Sequence, residues 1–465
     1  YFRGGKDTRT PGHPEVGLTP GIEMTTGPLG QGLASAVGFA YGQRFERGLL
    51  DPDTEAGKSP FDHKVWVICG EGDVEEGVSS EASSLAGNQE LGNLFVIFDA
   101  NHIQIEGETK IAFAEDVLKR YEAYGWYTDE ISFIQPDGSY KEDIEGLTKV
   151  LEKAEQVTDR PHFIKVDTLI AWPTPGKTND PSSHGSALGD EAVAALKKVL
   201  GFDPAKTFEI DEEALAHARE VAQRGAQAHA EWDEALAQWR SANPDKAALY
   251  DRIKAGELPE DFDKAIDDLE ATFEVGSKVA TRKASGAALN AVAAVMPELW
   301  GGSADLGGSN NTNIKGAQSF APAKYDTTQW PNCSIYGRQL HFGVREFASG
   351  CITNGILLGS DTRPFSGTFF QFADYERAAV RLAALMEIPN LFIWTHDSVA
   401  LGEDGPTHQP IEHLDSFRAI PQFEVVRPAD EWETAEAYRA FFEKDNTLPA
   451  ALVLPRQGVP TPAET

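Results

Sequence analysis

Two apolar runs about thirty residues apart constrain this chain more than any other feature. Val65-Trp66-Val67-Ile68-Cys69 stops abruptly at Gly70-Glu71-Gly72-Asp73, and Leu94-Phe95-Val96-Ile97-Phe98 stops at Asp99-Ala100-Asn101. Between them, residues 76–90 are rich in Ala and Ser with Leu85 on a helical face, so the unit reads strand, loop, helix, strand. In an open parallel sheet the loops at the carboxyl ends of neighbouring strands lie together where ligands bind, so Glu71 and Asn101 are expected to converge although distant in sequence. A carboxylate, an amide oxygen and a nearby backbone carbonyl are hard ligands, suited to Mg2+ or Ca2+ bridging a diphosphate. Gly70 and Gly72 let the backbone approach phosphates with no Cβ in the way. Two buried strands ending in polar turns are also ordinary structure, so the surrounding chain has to decide between these readings.

The length of 465 residues allows two or three domains, each with a sizeable core. Acidic residues outnumber basic ones by 73 to 41, a formal net charge of -32 that argues against nucleic acid or an anionic membrane as the main partner. Its plain reading is a solvated acidic surface. Three cysteines, Cys69, Cys333 and Cys351, lack metal-ligand or redox spacing; this fits a reducing cytoplasmic setting and excludes a disulfide scaffold. No apolar stretch has transmembrane length and no signal peptide is visible. The chain opens at Tyr1-Phe2-Arg3 without an initiator Met, so a fragment of a longer protein is expected.

Three regions follow from the pattern. Residues 1–190 alternate strand-like runs with helices and carry several glycine loops. Residues 191–272 are dominated by Ala, Glu, Asp and Lys at helical spacing, as in 211–238, and read as a helical arm with a solvated charged face. Residues 273–465 alternate again: the apolar run 292–296 leads through Leu299-Trp300 to Gly301-Gly302-Ser303-Ala304-Asp305, residues 391–394 to Thr395-His396-Asp397, and 451–454 to Pro455-Arg456. The fold class expected is α/β, two domains with mainly parallel sheets covered by helices, joined by the arm.

Several segments carry chemistry. Thr25-Thr26-Gly27-Pro28-Leu29-Gly30-Gln31-Gly32 precedes a small-residue helix, with Thr26 as expected N-cap and Pro28 in the first turn. The amino end of that helix can face an anionic or polar group, although a tightly packed core helix needs no such role. Gly343-Val344-Arg345-Glu346 puts a glutamate at the entry of an apolar helix, where a raised pKa or a hydrogen-bonded partner is expected. Phe369, Phe372 and Tyr375 recur at helical spacing, as core residues or as the wall of a flat heteroaromatic ring. The densest signal is residues 395–410, where His396, His408, Asp397, Glu403 and Asp404 crowd one glycine-containing loop after an apolar strand. Core packing does not require that composition; proton transfer and hydroxyl recognition do. The histidine spacing matches no common zinc pattern.

At this point the residues resemble a family. Pro11-Gly12-His13-Pro14-Glu15, residues 25–32, 70–101, 301–309, 343–346 and 395–410 are similar, in order, to the motifs of the transketolases, thiamine-diphosphate enzymes of sugar phosphate metabolism. The wording Glu75-Glu76-Gly77-Val78-Ser79 and the arm look most like bacterial, actinobacterial-type members. The resemblance implies a diphosphate- and metal-binding domain at 1–190 and a pyrimidine-binding domain at 273–465. It implies that Glu71, Asn101 and the Ile103 carbonyl hold Mg2+ (or Ca2+ or Mn2+) on the cofactor diphosphate. Gly72 and His184 would lie against that diphosphate, and Gly27, Pro28 and Leu29 near the rings. Glu346 would meet the aminopyrimidine ring, with Phe369, Phe372 and Tyr375 around it. Glu76 and Glu81 would join two active sites of a homodimer, and Asp305 would approach the cofactor from the second domain. Arg282, Ser309, His396 and Arg456 match a substrate phosphate site, which forked guanidinium groups suit. His13 and His408 match residues near the reacting carbons, and Asp404 one that reads a sugar hydroxyl. The implied activity is reversible transfer of a two-carbon ketol unit from a ketose phosphate to an aldose phosphate in the pentose phosphate pathway. The carbanion chemistry is the cofactor's, with the protein tuning it.

Two departures stand out. The family's Gly-Asp-Gly is Gly70-Glu71-Gly72 here, one methylene longer. Transketolases also begin about a hundred residues earlier, in a part that supplies two further active-site histidines, and end with a third α/β domain. The alternatives are a formaldehyde-using relative that makes dihydroxyacetone, and a truncated, catalytically silent relative. A 2-oxo acid dehydrogenase component is disfavoured by the phosphate set and the histidine loop.

Overall fold

Helix α1 (Gln31–Leu50) contains Gly32, Ala34, Ser35, Ala36, Gly38, Ala40 and Gly42, a composition that leaves much of its surface without side-chain bulk. It stands before the first of two parallel sheets in a computed structural model that describes residues 9–443 and 446–463. The first sheet contains β1 (Val65–Cys69), β2 (Leu94–Ala100), β3 (Tyr127–Ser132) and β4 (His162–Asp167) in the order β1-β2-β4-β3. Every pair is parallel, with Val65 opposite Leu94 and Cys69 opposite Phe98. Helices α2 (Glu71–Glu75) and α3 (Gly77–Asn88) connect β1 to β2, and α4 (Ile144–Glu155) connects β3 to β4. Alternation along β2 separates the two faces: Leu94, Val96 and Phe98 pack with α1 and α3, while Phe95 packs with Ala154 of α4. On that second face Trp66 stacks on Phe95 at 4.4 Å, whereas Ile68 of the edge strand is 74% exposed.

The arm comprises α5 (Asp190–Leu200), α6 (Glu212–Arg219), α7 (Val221–Ala242), α8 (Pro244–Lys254) and α9 (Phe262–Glu270). Gly201, at φ 83°, terminates α5, and the Asp211 side chain caps α6 by accepting the Ala214 N–H at 2.8 Å. Neither α5 nor α6 buries a residue. The arm docks further on, where Leu236, Trp239 and Tyr250 enclose Phe61 and Leu50 at the end of α1.

The second sheet follows α10 (Thr281–Val295) and contains β5 (Leu299–Ser303), β6 (Gln339–His341), β7 (Arg363–Phe369), β8 (Leu391–Thr395), β9 (Glu424–Val426) and β10 (Ala450–Leu454). Its order is β9-β10-β8-β7-β5-β6, again entirely parallel. The short α11 (Gly307–Asn310) follows β5, α12 (Glu346–Gly359) precedes β7, α13 (Ala373–Met386) precedes β8, and α14 (Glu431–Phe442) precedes β10. From β5 the chain goes first to β6 on one side and then to β7 on the other, so the strand order reverses between β5 and β7. Ligands bind at such a reversal, beyond the carboxyl ends of the strands. Among the described residues no helix is long and apolar enough to cross a membrane.

Three local expectations are corrected. Helix α1 does not begin at a Thr26 cap; Gly30, at φ 78°, is its N-cap, because the preceding loop is folded by contacts outside the helix. The aromatic run 369–375 is not one helical stripe: Phe369 ends β7, Phe372 lies in a 3-10 turn and Tyr375 in α13. The apolar run 292–296 lies at the end of α10, with the strand starting only at Leu299.

The two halves join where α1 crosses α12. An added Cβ on Gly38 would lie 2.1 Å from the Ile352 carbonyl oxygen and 2.8 Å from the Gly355 Cα. One on Gly355 would lie 2.0 Å from the Ser35 carbonyl oxygen. Backbone therefore meets backbone, and Leu33, Val37, Ile352 and Ile356 close the core around the crossing. Gly38→Val should destabilise the fold by about 3 kcal/mol, because the obstacle is backbone that cannot rotate away. Gly225→Ala in α7, where a Cβ meets nothing within 4 Å, should stabilise it by about 0.5–1 kcal/mol. Urea unfolding of the two variants beside the parent checks both signs.

Candidate active site

The carboxyl ends of β1 and β2 bring together the first set of residues. Asp73 accepts the Gly30 N–H at 2.9 Å through one oxygen and the Gly70 N–H at 3.0 Å through the other, tying the two glycine loops to each other. Around this tie the loops are too close for side chains. A Cβ on Gly72 would lie 2.9 Å from Leu29 Cδ1, one on Gly30 2.8 Å from Glu76 Cβ, and one on Gly27 2.9 Å from His13 Cγ. The His13 segment is held there by the Thr26 N–H donating to Pro14 O at 3.1 Å and the Val16 N–H to Thr25 Oγ1 at 3.0 Å. His13, Gly27, Pro28, Leu29, Gly72 and Glu76 thus share one cradle. His184 is exposed on the loop after β4, and no hydrogen bond or ring contact ties it to this cradle among the described residues.

Glu71 opens α2 rather than lying in a loop, and only 4% of it is exposed. Its Oε1 accepts the His102 N–H at 2.5 Å, and burial raises its pKa. Asn101 Oδ1 accepts the Ile103 N–H at 3.0 Å. Glu71 and Asn101 therefore do converge across the strand ends, through residues 101–103. The carboxylate and amide oxygens each keep a lone pair free, a donor pair that fits a hard divalent cation.

Glu346 begins α12, as its position before the apolar run implies, and is 9% exposed. Burial first, and then the neighbouring Glu81 charge, raise its pKa. Glu81 accepts the Ala348 N–H at 3.0 Å, and Arg345 donates to Ser84 Oγ at 3.2 Å, so α3 anchors the start of α12. Among the described residues the Glu346 carboxylate is hydrogen-bonded only by its own backbone N–H. A half-enclosed carboxyl group without a side-chain partner fits a ligand ring nitrogen. Glu76 is exposed and makes no hydrogen bond to Glu81.

The ends of β5, β7, β8 and β10 carry the second set. The Phe369 ring lies 3.8 Å from the His396 imidazole, Phe372 lies 5.0 Å from His408, and Phe372 lies 6.2 Å from Tyr375. The wall opens outward to Tyr375, which is 67% exposed. Arg282 donates to Ser309 O at 2.6 Å while its buried Nε has no partner. Arg456 donates to Leu401 O at 3.3 Å and pairs with Glu403. Burial and the Arg456 charge lower the Arg282 pKa. Burial, Arg282, Arg456 and His408 push His396 down to about 4, against Asp404, which raises it. Two guanidinium groups that hold a neighbouring imidazole neutral form a site that can take an anion. His102, Asp305 and His396 all have φ near 60°, left-handed strain of about 1–3 kcal/mol each, gathered at the strand ends. Asp305 lines a cavity of ≈ 260 Å³ with Ser303, Gly307, His341 and Gly343.

Sequence reasoning missed Asp73 and Arg427. The latter donates to Asp397 at 2.7 Å and anchors the start of the 395–410 loop. An Asp one residue past Gly72 carried a signal, while Arg427 had none short of the fold. Among the described residues no hydrogen bond, ion pair or ring contact connects the first set with His396, His408 or Arg282 within the chain. Because the folded His396 pKa lies below its unfolded value near 6.5, the stability that His396 contributes is lost as pH drops from about 6.5 towards 4. Urea unfolding of the parent and His396→Asn should show the difference between them shifting in favour of the variant over that range.

Comparison with known proteins accounts for this arrangement. Residues 2–259 match the family profile described as transketolase, thiamine diphosphate binding domain, and residues 277–462 match transketolase, pyrimidine binding domain. The chain is 54% identical over 455 residues to the transketolase of Mycobacterium tuberculosis, covering 97% of itself and 63% of that protein. It is 45% identical over 459 residues to that of Geobacillus stearothermophilus, covering 98% of itself and 65% of the relative. The crystal structure of a Pichia stipitis transketolase with sedoheptulose 7-phosphate superposes with a TM-score of 0.89 at 39% identity, over 99% of this chain and 65% of that one. The chain spans somewhat less than two thirds of the length of these relatives. Matched along nearly all of its own length, it belongs to the transketolase family.

Proposed function

We propose that this chain takes part in the reversible transfer of a two-carbon ketol unit from a ketose phosphate of the xylulose 5-phosphate kind to an aldose phosphate. The observation that carries the reading is the anion-seeking group of Arg282, Arg456 and neutral His396, on the same sheet end as the aromatic wall. Related structures from Pichia stipitis hold xylulose 5-phosphate, fructose 6-phosphate and sedoheptulose 7-phosphate, which supports a sugar phosphate as substrate class.

In this reading residues 1–190 hold the diphosphate and metal, 273–465 the pyrimidine ring, and 191–272 form the arm. Glu71, Asn101 and the Ile103 carbonyl bind Mg2+, with Ca2+ or Mn2+ as substitutes. Thiamine diphosphate, when bound, supplies the nucleophilic carbon and the electron sink for breaking a bond beside a carbonyl. Glu346 holds a proton at its carboxyl oxygen to higher pH than an exposed glutamate and offers it to a ring nitrogen. Phe369, Phe372 and Tyr375 flank the ring and exclude water. Arg282, Ser309 and Arg456 fix the phosphate tail by charge-assisted hydrogen bonds. His396, neutral at physiological pH, donates or accepts at the sugar; His13 and His408 move protons at the reacting carbons, and Asp404 reads a hydroxyl. His184 and Asp305 complete the diphosphate and ring sides. Since no hydrogen bond, ion pair or ring contact joins the first set to His396, His408 or Arg282 among the described residues, a homodimer that brings one copy's first set to the other's second set is the arrangement proposed to complete the site. The three buried free cysteines suit a reducing cytoplasm.

The test uses this chain with thiamine diphosphate and Mg2+, assayed with xylulose 5-phosphate and ribose 5-phosphate, alongside calorimetric titration of the cofactor. Turnover that falls at least about a hundredfold in Glu346→Ala is expected. Glu71→Ala should weaken Mg2+-dependent cofactor binding at least about tenfold, and sedimentation should report a dimer. Cofactor binding without turnover would assign this chain the binding role alone. No cofactor binding at all would overturn the proposal.

A further inference from the structure

Behind the aromatic wall lies a buried carboxylate with no part in the reaction proposed above. Glu376, in the first turn of α13, is 1% exposed. It accepts the Trp394 indole N–H at 3.0 Å and the Ser366 hydroxyl at 2.9 Å, and Ser349 Oγ lies 3.3 Å from its Oε1. The three partners belong to β8, β7 and α12, the elements that end or begin with Thr395 beside His396, with Phe369 and with Glu346. Ser349 also donates to the Glu346 backbone carbonyl at 2.8 Å, so one hydroxyl links the two glutamates. The contact is built into the backbone. A Cβ on Gly350 would lie 2.9 Å from Glu376 Cγ and 3.2 Å from its Oε1.

An apolar side chain would fill this space without the desolvation cost of a carboxylate. What a carboxylate adds is direction, through two oxygens that accept from β8 and β7 while one of them also lies beside the Ser349 hydroxyl of α12. The groups that share its field are anionic or neutral: Glu346 and Cys351 on α12, with Glu81 of α3 beside Cys351. Arg345 is turned away to Ser84 and the Phe342 carbonyl, and Arg377 to the Ser416 carbonyl. Burial, with the Glu346 charge adding to it, raises Glu376 to about 7, while the contacts with Trp394, Ser366 and Ser349 lower it.

We propose that Glu376 is a positioning residue, which holds the first turn of α12, and with it the Glu346 carboxyl, in register with Phe369 and His396. This rests on the reading that Glu346 meets the aminopyrimidine ring.

The experiment is calorimetric titration of the chain with thiamine diphosphate and Mg2+. Glu376→Leu keeps the bulk without an acceptor and is expected to bind about tenfold more weakly, whereas Glu376→Gln, which keeps an acceptor oxygen, is expected to restore most of that loss. A glutamate that merely fills space would be replaced by Leu without loss, and parent affinity in Glu376→Leu, or an equal loss in both variants, overturns the proposal. Should Glu376→Leu fold poorly, Ser349→Ala decides: it removes the linking hydroxyl and is expected to weaken cofactor binding severalfold, and unchanged affinity overturns the proposal. Glu346→Ala is the control for the underlying reading. If it leaves cofactor affinity intact, that reading fails; if it lowers affinity while Glu376→Leu binds like the parent, only the present inference fails.

Discussion

The backbone contact between Gly38 of α1 and Gly355 of α12 decides where the two halves of the molecule sit. Each glycine lies within a helix, where it costs about 1 kcal/mol relative to alanine. That cost is offset because the helices approach until a carbonyl oxygen occupies the place of a Cβ, and Leu33, Val37, Ile352 and Ile356 lose their water together. The consequence reaches the site directly. With α12 held on α1, its first turn falls against α3, where Glu81 accepts the Ala348 N–H and Arg345 reaches Ser84. Since α3 is the connection between β1 and β2, the start of the Glu346 helix is indexed to the sheet that carries Glu71 and Asn101.

Charge is arranged around this joint in two opposite ways. Glu71, Glu81, Glu346 and Glu376 are carboxylates withdrawn from water, and burial raises the pKa of each. At the ends of β8 and β10 the sign reverses: burial and the Arg456 charge lower the Arg282 pKa, and burial with Arg282 and Arg456 lowers that of His396. A chain with net charge -32 therefore places two arginines beside a neutral histidine at these strand ends, with Glu403 paired to one of them. In the proposed function the carboxylate side takes the metal ion and the ring nitrogen, and the arginine side the phosphate tail. Left-handed backbone at His102, Asp305 and His396 aims these loops, and the rigid parallel sheets behind them bear the strain.

Much of the fold was readable beforehand because its signals are local. Continuous apolar runs gave the strands, Ala-rich charged periodicity gave the arm, and the glutamate before an apolar run marked the start of α12. The errors are equally specific. Thr26 had the right chemistry for a cap, yet α1 starts at Gly30, whose N–H is held by Asp73 from 43 positions away. The spacing of Phe369, Phe372 and Tyr375 suggested one helix, but they span a strand end, a 3-10 turn and a helix start, since only the strand's length along the sheet decides where it stops. Asp73, Arg427 and Glu376 were passed over because their partners are distant in sequence.

The sequence by itself determined the α/β class, the parallel sheets, the family and most of the side chains at the strand ends, because these depend on periodicity and on motifs a few residues long. Only the tertiary structure decided the Gly38–Gly355 crossing, the tie from Asp73 to two glycine loops, and the carboxylate of Glu376 beneath Glu346. Each depends on atoms that meet across tens to hundreds of residues, where a difference of one methylene or one Cβ changes the contact and no local pattern records it.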